Sequence, residues 1–255
     1  NDAFACSHRA HASISAITKF LPFYCGELLI DELENLNKII TDPDEPAITI
    51  MGGSKISTKI SIIKNLSKKM SSIAICGGMA NSFIAFNGNE IGASLAEENV
   101  NEEIEEIYNY SNENDCQIIL PSDASVAPKL DPDINFAVKK IDGLNSSDMI
   151  LDIGPVSTKD LKEVISNSKT VFWNGPPGVF EVEPFNKATI EIANHIADLT
   201  SAGKIQSFAG GGDTVAAIEM AGVREKFTYI STGGGALLEL LEGKQLPGLV
   251  SQNIL

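Results

Sequence analysis

Five short runs of apolar and β-branched residues, each closed by glycines, constrain this chain more than any other feature. AITIM (47–51) is followed by Gly52 and Gly53, and SIAIC (72–76) by Gly77 and Gly78. TVFWN (170–174) is followed by Gly175 and Gly178, and KIQSFA (204–209) by Gly210, Gly211 and Gly212. FTYIS (227–231) leads through Thr232 to Gly233, Gly234 and Gly235. QIIL, just ahead of Pro121, is a further strand candidate without glycines. Near-continuous apolar strands are buried on both faces. Parallel strands need crossovers, and helical patterns lie between these runs. The pattern predicts an α/β fold, a doubly wound parallel sheet with flanking helices.

In such sheets ligands bind beyond the carboxyl ends of the strands. All five glycine clusters fall at those ends and are expected along one edge. Glycine lets backbone approach a ligand closely, and helix N-termini favour anions. A single glycine pair after a strand is more often only a tight turn. Five on one edge point to a phosphate-bearing ligand. Ahead of the sheet, ELLIDELENLNKII (27–40) carries apolar residues at 28, 29, 33, 36, 39 and 40. That is a helical period, and TDPDEP (41–46) breaks it.

Charge narrows the partners. The 255 residues carry a formal net charge of −15 and a pI near 4.6. A nucleic-acid binder needs a basic face, so that class is set aside. A phosphate ligand needs only a few local cations and amides. No apolar run approaches the roughly 18 residues that span a membrane. Cys6, Cys25, Cys76 and Cys116 are widely spaced, which suggests neither zinc nor disulfides and fits a reducing cytoplasm. The opening NDAFACSHRAH has no initiator methionine and no signal-peptide pattern.

Four stretches carry candidate chemistry. In GGSKISTK, Lys55 and Lys59 are four apart, so they are expected on one face of a helix's first turns, with Ile56, Ile60 and Ile63 buried. Two cations there oppose the helix dipole, which a bound anion would offset. Two solvated lysines are the bland alternative. The stretch is not a Walker loop, and no G-x-G-x-x-G follows any strand. In GGGDT, Asp213 suits a magnesium ion and Thr214 a phosphate, although Asp213 also suits an N-cap. In WNGPPGVFE, Val179 and Phe180 can flank a flat ring, Glu181 can accept from a ribose diol, and Trp173 is equally suited to the core. STGGGA is a further glycine nest at a helix start. His195 sits in a helical pattern and is read as a surface or satisfied residue.

Taken together, NDAFxxxHRAH, GGSKxxxK, GGMANSF, LDIGP, WNGPPGVFE, GGGDT and STGGGA resemble the phosphoglycerate kinase family in order and spacing, over essentially the whole chain. The resemblance implies phosphoryl transfer between 1,3-bisphosphoglycerate and ADP, giving 3-phosphoglycerate and ATP, with Mg2+. It implies a cytoplasmic, usually monomeric enzyme of two domains. Residues 1–26 are similar to the end of the phosphoglycerate-binding domain, and 27–42 to the interdomain helix. Residues 43–242 are similar to the nucleotide-binding domain, and 243–255 to a tail returning to the first domain.

The resemblance also implies roles. Lys59 looks like the lysine on the nucleotide phosphates, and Lys55 like the one that follows the phosphoryl group. Asn174, Glu181, Asp213 and Thr214 look like nucleotide ligands, with Asp213 on the metal. Gly77, Gly78 and Gly178, with Val179, line the adenosine pocket. Gly211 and Gly212 approach the phosphates. Gly233, Gly234 and Gly235 face the transferring group, with Gly211 and Gly234 grouped with Lys55 at the reaction centre. Arg9 looks like an arginine that grips phosphoglycerate. The family's substrate motif with its catalytic arginine has no counterpart here, so a catalytically silent nucleotide-binding fragment is the alternative. Thr58 and Leu237 replace the Asp and Ser of many members. Phe4, Ile14, Ile17, Phe20, Leu21 and Phe23 are expected to be exposed, and 246–255 poorly ordered.

Overall fold

The computed structural model describes residues 1–250. Its strands are β1 (Ala47–Met51), β2 (Ser72–Ile75), β3 (Gln117–Ile119), β4 (Asp123–Ala127), β5 (Ala137–Lys140), β6 (Met149–Ile153), β7 (Thr170–Asn174), β8 (Gln206–Gly210) and β9 (Tyr229–Ser231). Helices α1 (Glu27–Ile40), α2 (Ile60–Leu66), α3 (Gly77–Phe86), α4 (Asn101–Glu113), α5 (Pro155–Ser166), α6 (Lys187–Ser201), α7 (Gly212–Met220), α8 (Gly235–Leu241) and α9 (Pro247–Val250) surround them.

Six strands form one parallel sheet in the order β3-β2-β1-β7-β8-β9. The chain winds outward in one direction from β1 and in the other from β7. Side chains alternate across the sheet, as the strand period requires. Ala47 and Met51 join the core under α1–α4 and α8, while Ile48 and Ile50 join Trp173 in the core under α5–α7. Trp173 is fully buried and its indole N–H donates to the Gly175 carbonyl at 2.8 Å. A parallel doubly wound sheet is therefore present, with one addition. β5-β4-β6 form a separate antiparallel sheet between β3 and α5, which the glycine pattern did not announce. Asp123 of β4 fixes it to the main body, accepting from the amides of Val156 and Ser157 at 3.0 and 2.8 Å in the first turn of α5.

Three expectations need correction. Helix α2 begins at Ile60, so Lys55 and Lys59 lie on the preceding turn rather than on a helix face. Phe4 and Ile14 are buried, because residues 1–16 pack on the sheet body. Phe4 lies against the α8 start, Asp2 accepts the Leu29 amide at 2.9 Å to cap α1, and Ser7 accepts the Gly248 amide at 2.8 Å. Phe20 and Leu21 are exposed as expected. The tail segment 247–250 is an ordered helix with Leu246 and Leu249 buried, while 251–255 lie outside the described residues.

At the point where the winding reverses, the loops after β1 and β7 touch backbone to backbone. The Gly52 amide donates to the Asn174 carbonyl at 3.0 Å, and a Cβ on Gly52 would sit 2.2 Å from the Pro176 oxygen. Nothing there is a flexible side chain that can yield. Gly52→Ala is expected to cost about 2 kcal/mol or more of stability. A urea-unfolding midpoint equal to that of the parent chain would contradict this contact.

Candidate functional site

The five glycine turns do gather along the carboxyl edge of the sheet. Three of them, after β1, β7 and β8, are tied together by side chains. Lys59 donates its ammonium to Asn174 Oδ1, and Asn174 Nδ2 donates to the Gly210 carbonyl at 2.7 Å. Thr214 Oγ1 accepts the Gly175 amide at 2.7 Å. Gly211 has a φ of +96°, and a Cβ there would meet Asn174 Nδ2 at 2.8 Å, so only glycine suits the position. Asn174 is thus a hub between the β1 turn and the β8 turn, 115 residues from Lys59 in sequence.

Electrostatics single out Lys59. Burial pulls its pKa down, while Asp213 and, less strongly, Glu242 pull it back up. Among the described residues it forms no ion pair. A half-buried ammonium held by a neutral amide oxygen has charge left to offer an anion. Lys55 is exposed on the same turn, four residues away. Asp213 is exposed in the first turn of α7, whose N-cap is Gly211, so the capping alternative for Asp213 fails. Gly212 beside it has open space around its Cα.

A cleft of about 520 Å³ opens beside this edge, between the main sheet and β4-β6. Gly53, Gly77, Gly78, Leu95, Leu151 and Val179 line it, with Glu181 and Asp213 also on its wall. A cleft that is small-residue and apolar on its floor and charged at two points fits a flat ring joined to a polar tail. Glu181 is exposed, and Phe180 is buried on the wall. Gly178 closes on Asp152, whose carboxylate lies 2.2 Å from where a Gly178 Cβ would stand. Asp152 accepts the amides of Ile153 at 2.9 Å and Ala188 at 3.0 Å, pinning the start of α6 to β6. Asp152 lies in the motif LDIGP, where no local pattern marks it as a site residue.

A second nest lies further along the edge. Gly234 has a φ of +54° at the N-cap of α8. The Phe4 ring lies where a Gly233 Cβ would stand, and His8 Nε2 is 3.1 Å from that of Gly235. Arg9, exposed, follows His8, so the opening segment faces this nest rather than the cleft. Buried Glu32 of α1 accepts the hydroxyls of Ser231 and, at 2.7 Å, of Tyr229. Burial and this carboxylate raise the Tyr229 pKa. Ser231 Oγ in turn accepts the Gly233 amide at 3.1 Å. His195 is satisfied at the surface by Ser166 and the Lys162 carbonyl at 2.8 and 3.0 Å. The four cysteines are free.

No group of three or more His, Cys, Asp or Glu able to hold a metal occurs among the described residues. Mg2+ commonly takes one or two carboxylates and completes its shell with substrate phosphates and water. Asp213, exposed next to open backbone at Gly212, fits that pattern and no all-protein cage.

Both the sequence and the fold match a known family. The family model for phosphoglycerate kinase matches residues 1–244. A phosphoglycerate kinase of Caulobacter vibrioides is 46% identical over 251 residues, 98% of this chain and 63% of that protein. One of Agrobacterium fabrum is 46% identical over 249 residues, covering 98% and 62%. The solved phosphoglycerate kinase of Coxiella burnetii superposes with a TM-score of 0.94 at 37% identity, over 99% of this chain and 64% of that one. That of Pyrococcus horikoshii gives 0.79 at 29% identity, over 100% and 63%. The chain therefore spans a little under two thirds of the length of these relatives.

Asp152 gives a pH test of the cleft wall. Burial raises its pKa to about 8, outweighing the two amide bonds. The folded state then holds a proton that the unfolded chain, at an ordinary carboxylate pKa, has released. Stability is expected to fall as pH rises from about 4 toward 8 and to level above that. In Asp152→Asn the fall in the thermal midpoint between pH 6 and pH 9 is expected to shrink. An unchanged slope would contradict a buried, protonated Asp152.

Proposed function

Because the chain belongs to the phosphoglycerate kinase family, we propose that it binds ADP and ATP in the cleft beside the carboxyl edge and supplies the nucleotide half of that family's reaction. The reaction is phosphoryl transfer between the 1-phosphate of 1,3-bisphosphoglycerate and ADP. The observation that carries this reading is Lys59, a half-buried cation without an ion pair among the described residues, at the junction of three glycine turns.

In this reading the base lies among Gly77, Gly78, Gly178 and Val179. Glu181 accepts the ribose hydroxyls. Lys59 takes the nucleotide phosphates, with Asn174 orienting the ammonium between the β1 and β8 turns. Thr214 already accepts the Gly175 amide, so its hydroxyl proton is available to a phosphate oxygen. The amides of Gly211 and Gly212 add donors at the start of α7. Asp213 holds magnesium, which when bound neutralises charge on the phosphates. Lys55, exposed on the same turn, follows the phosphoryl group as it transfers. Gly233, Gly234 and Gly235 present backbone donors from the other side, near Arg9, which grips 3-phosphoglycerate or 1,3-bisphosphoglycerate. Positioning, charge and exclusion of water carry such a transfer.

No helix among the described residues is long and apolar enough to cross a membrane. A monomer working in the cytoplasm, as the family resemblance implies, completes the proposal.

The second reading, nucleotide binding without turnover, is favoured by one observation. Within residues 1–26 the cationic side chains are Arg9 and Lys19, few for a ligand that carries a phosphate and a carboxylate.

Calorimetric titration with MgADP is expected to saturate at one site, and Lys59→Met to weaken binding roughly tenfold or more. Absence of saturable binding by the parent chain would overturn the nucleotide reading. A coupled assay separates the two readings, since sustained turnover by the chain would end the silent one.

A further inference from the structure

Lys55 and Lys59 sit on a turn, not a helix, and something must hold that turn against the repulsion of two cations. Near neighbours do part of this: the Lys59 amide donates to the Ile56 carbonyl at 2.7 Å, Thr58 Oγ1 donates to the Lys55 carbonyl at 3.0 Å, and the Gly53 carbonyl accepts the Met79 amide of α3 at 2.8 Å. A further hold comes from a distant loop. Glu97 reaches across from 40 residues away and accepts both groups that Ser57 offers, the amide at 3.0 Å on Oε2 and the hydroxyl at 2.5 Å on Oε1. Burial works against charge on Glu97, but the Ser57 bonds and the nearby Lys55 outweigh it and hold its carboxyl below the usual range.

The loop that carries Glu97 is itself anchored. Asn81 Nδ2 of α3 donates to the Leu95 carbonyl at 2.9 Å, and Ser82 Oγ accepts the Glu97 amide at 2.9 Å. Asn81 and Ser82 are both buried. The same loop puts Leu95 on the wall of the cleft, close to Gly78. One short segment thus touches the base end of the site through Leu95 and the phosphate end through Glu97.

We propose that Glu97 is a positioning residue for the phosphate-binding turn, holding Ser57 so that Lys55 and Lys59 stand ready for the polyphosphate tail of the nucleotide. The inference rests on the nucleotide reading above. It differs from a general structural role in a measurable way: its effect belongs to the phosphates and not to the base.

The test titrates the chain with MgADP and, separately, with adenosine. Glu97→Ala is expected to weaken MgADP binding about tenfold, because the turn must then be ordered on binding instead of beforehand. Adenosine affinity is expected to stay within about twofold. Glu97→Gln keeps an oxygen for the Ser57 amide and an NH2 that the hydroxyl can accept from, so it is expected to restore most of the MgADP affinity. Equal or tighter MgADP binding by Glu97→Ala overturns the proposal, because removing an anion near two lysines would then be all that matters. So does a loss shared equally by adenosine, which would mark a general collapse of the cleft. A glutamine variant as weak as the alanine one also overturns it. Failure of the parent chain to bind MgADP is a different result, and it removes the nucleotide reading itself.

Discussion

The backbone contact where the sheet reverses its winding governs the arrangement of everything beside it. β1 and β7 are neighbours, and the turns that leave them diverge to opposite sides of the sheet. Between them Gly52 and the 175–176 segment meet with no room for a side chain. The Gly77 amide donates to the Pro177 carbonyl at 3.1 Å, so the β2 turn is drawn into the same contact. Close packing of three backbones leaves their amides and carbonyls at one edge, where a ligand finds many polar groups and no bulk. Such a crevice is where open α/β sheets place their ligands.

The electrostatics of the site run against those of the molecule. A chain with net charge −15 repels anions on average. Within the edge, Lys59 is set between Asn174 and the carboxylate of Asp213, and Lys55 beside Glu97. Each lysine is therefore partly screened by an acid, which lets both cations coexist on one turn. A polyphosphate with a divalent cation suits this pattern better than a bare anion does, because the metal answers Asp213 while the phosphates answer the lysines.

A second network joins the helix before the sheet to the second nest. Glu32 of α1 holds Ser231 and Tyr229 at the end of β9, and Ser231 holds the Gly233 amide. Asp2 caps α1, and Phe4 and His8 rest on the turn that Ser231 orders. Any rotation of α1 relative to the sheet would have to break or carry these buried bonds, so the opening segment and the nest are mechanically one unit.

Much of this was legible in the order of residues. The helix at 27–40 and the strands AITIM and TVFWN have the bounds their patterns set, because apolar spacing and glycine stops are local signals. The antiparallel strands DASVA, AVKK and MILDI were not, since polar and charged residues interrupt them and lower strand propensity. The Lys55–Lys59 stretch has helical spacing yet forms a turn, because spacing cannot register a carboxylate 40 residues away that bonds Ser57. The sequence by itself determined which strands are buried, where each ends, and that glycine backbone would collect at one edge. Only the tertiary structure decided which turns touch, that Asn174 is the partner of Lys59, that Asp152 lines the cleft, and that Glu97 meets Ser57. Those choices are made by contacts between segments far apart in the chain, and no local period encodes them.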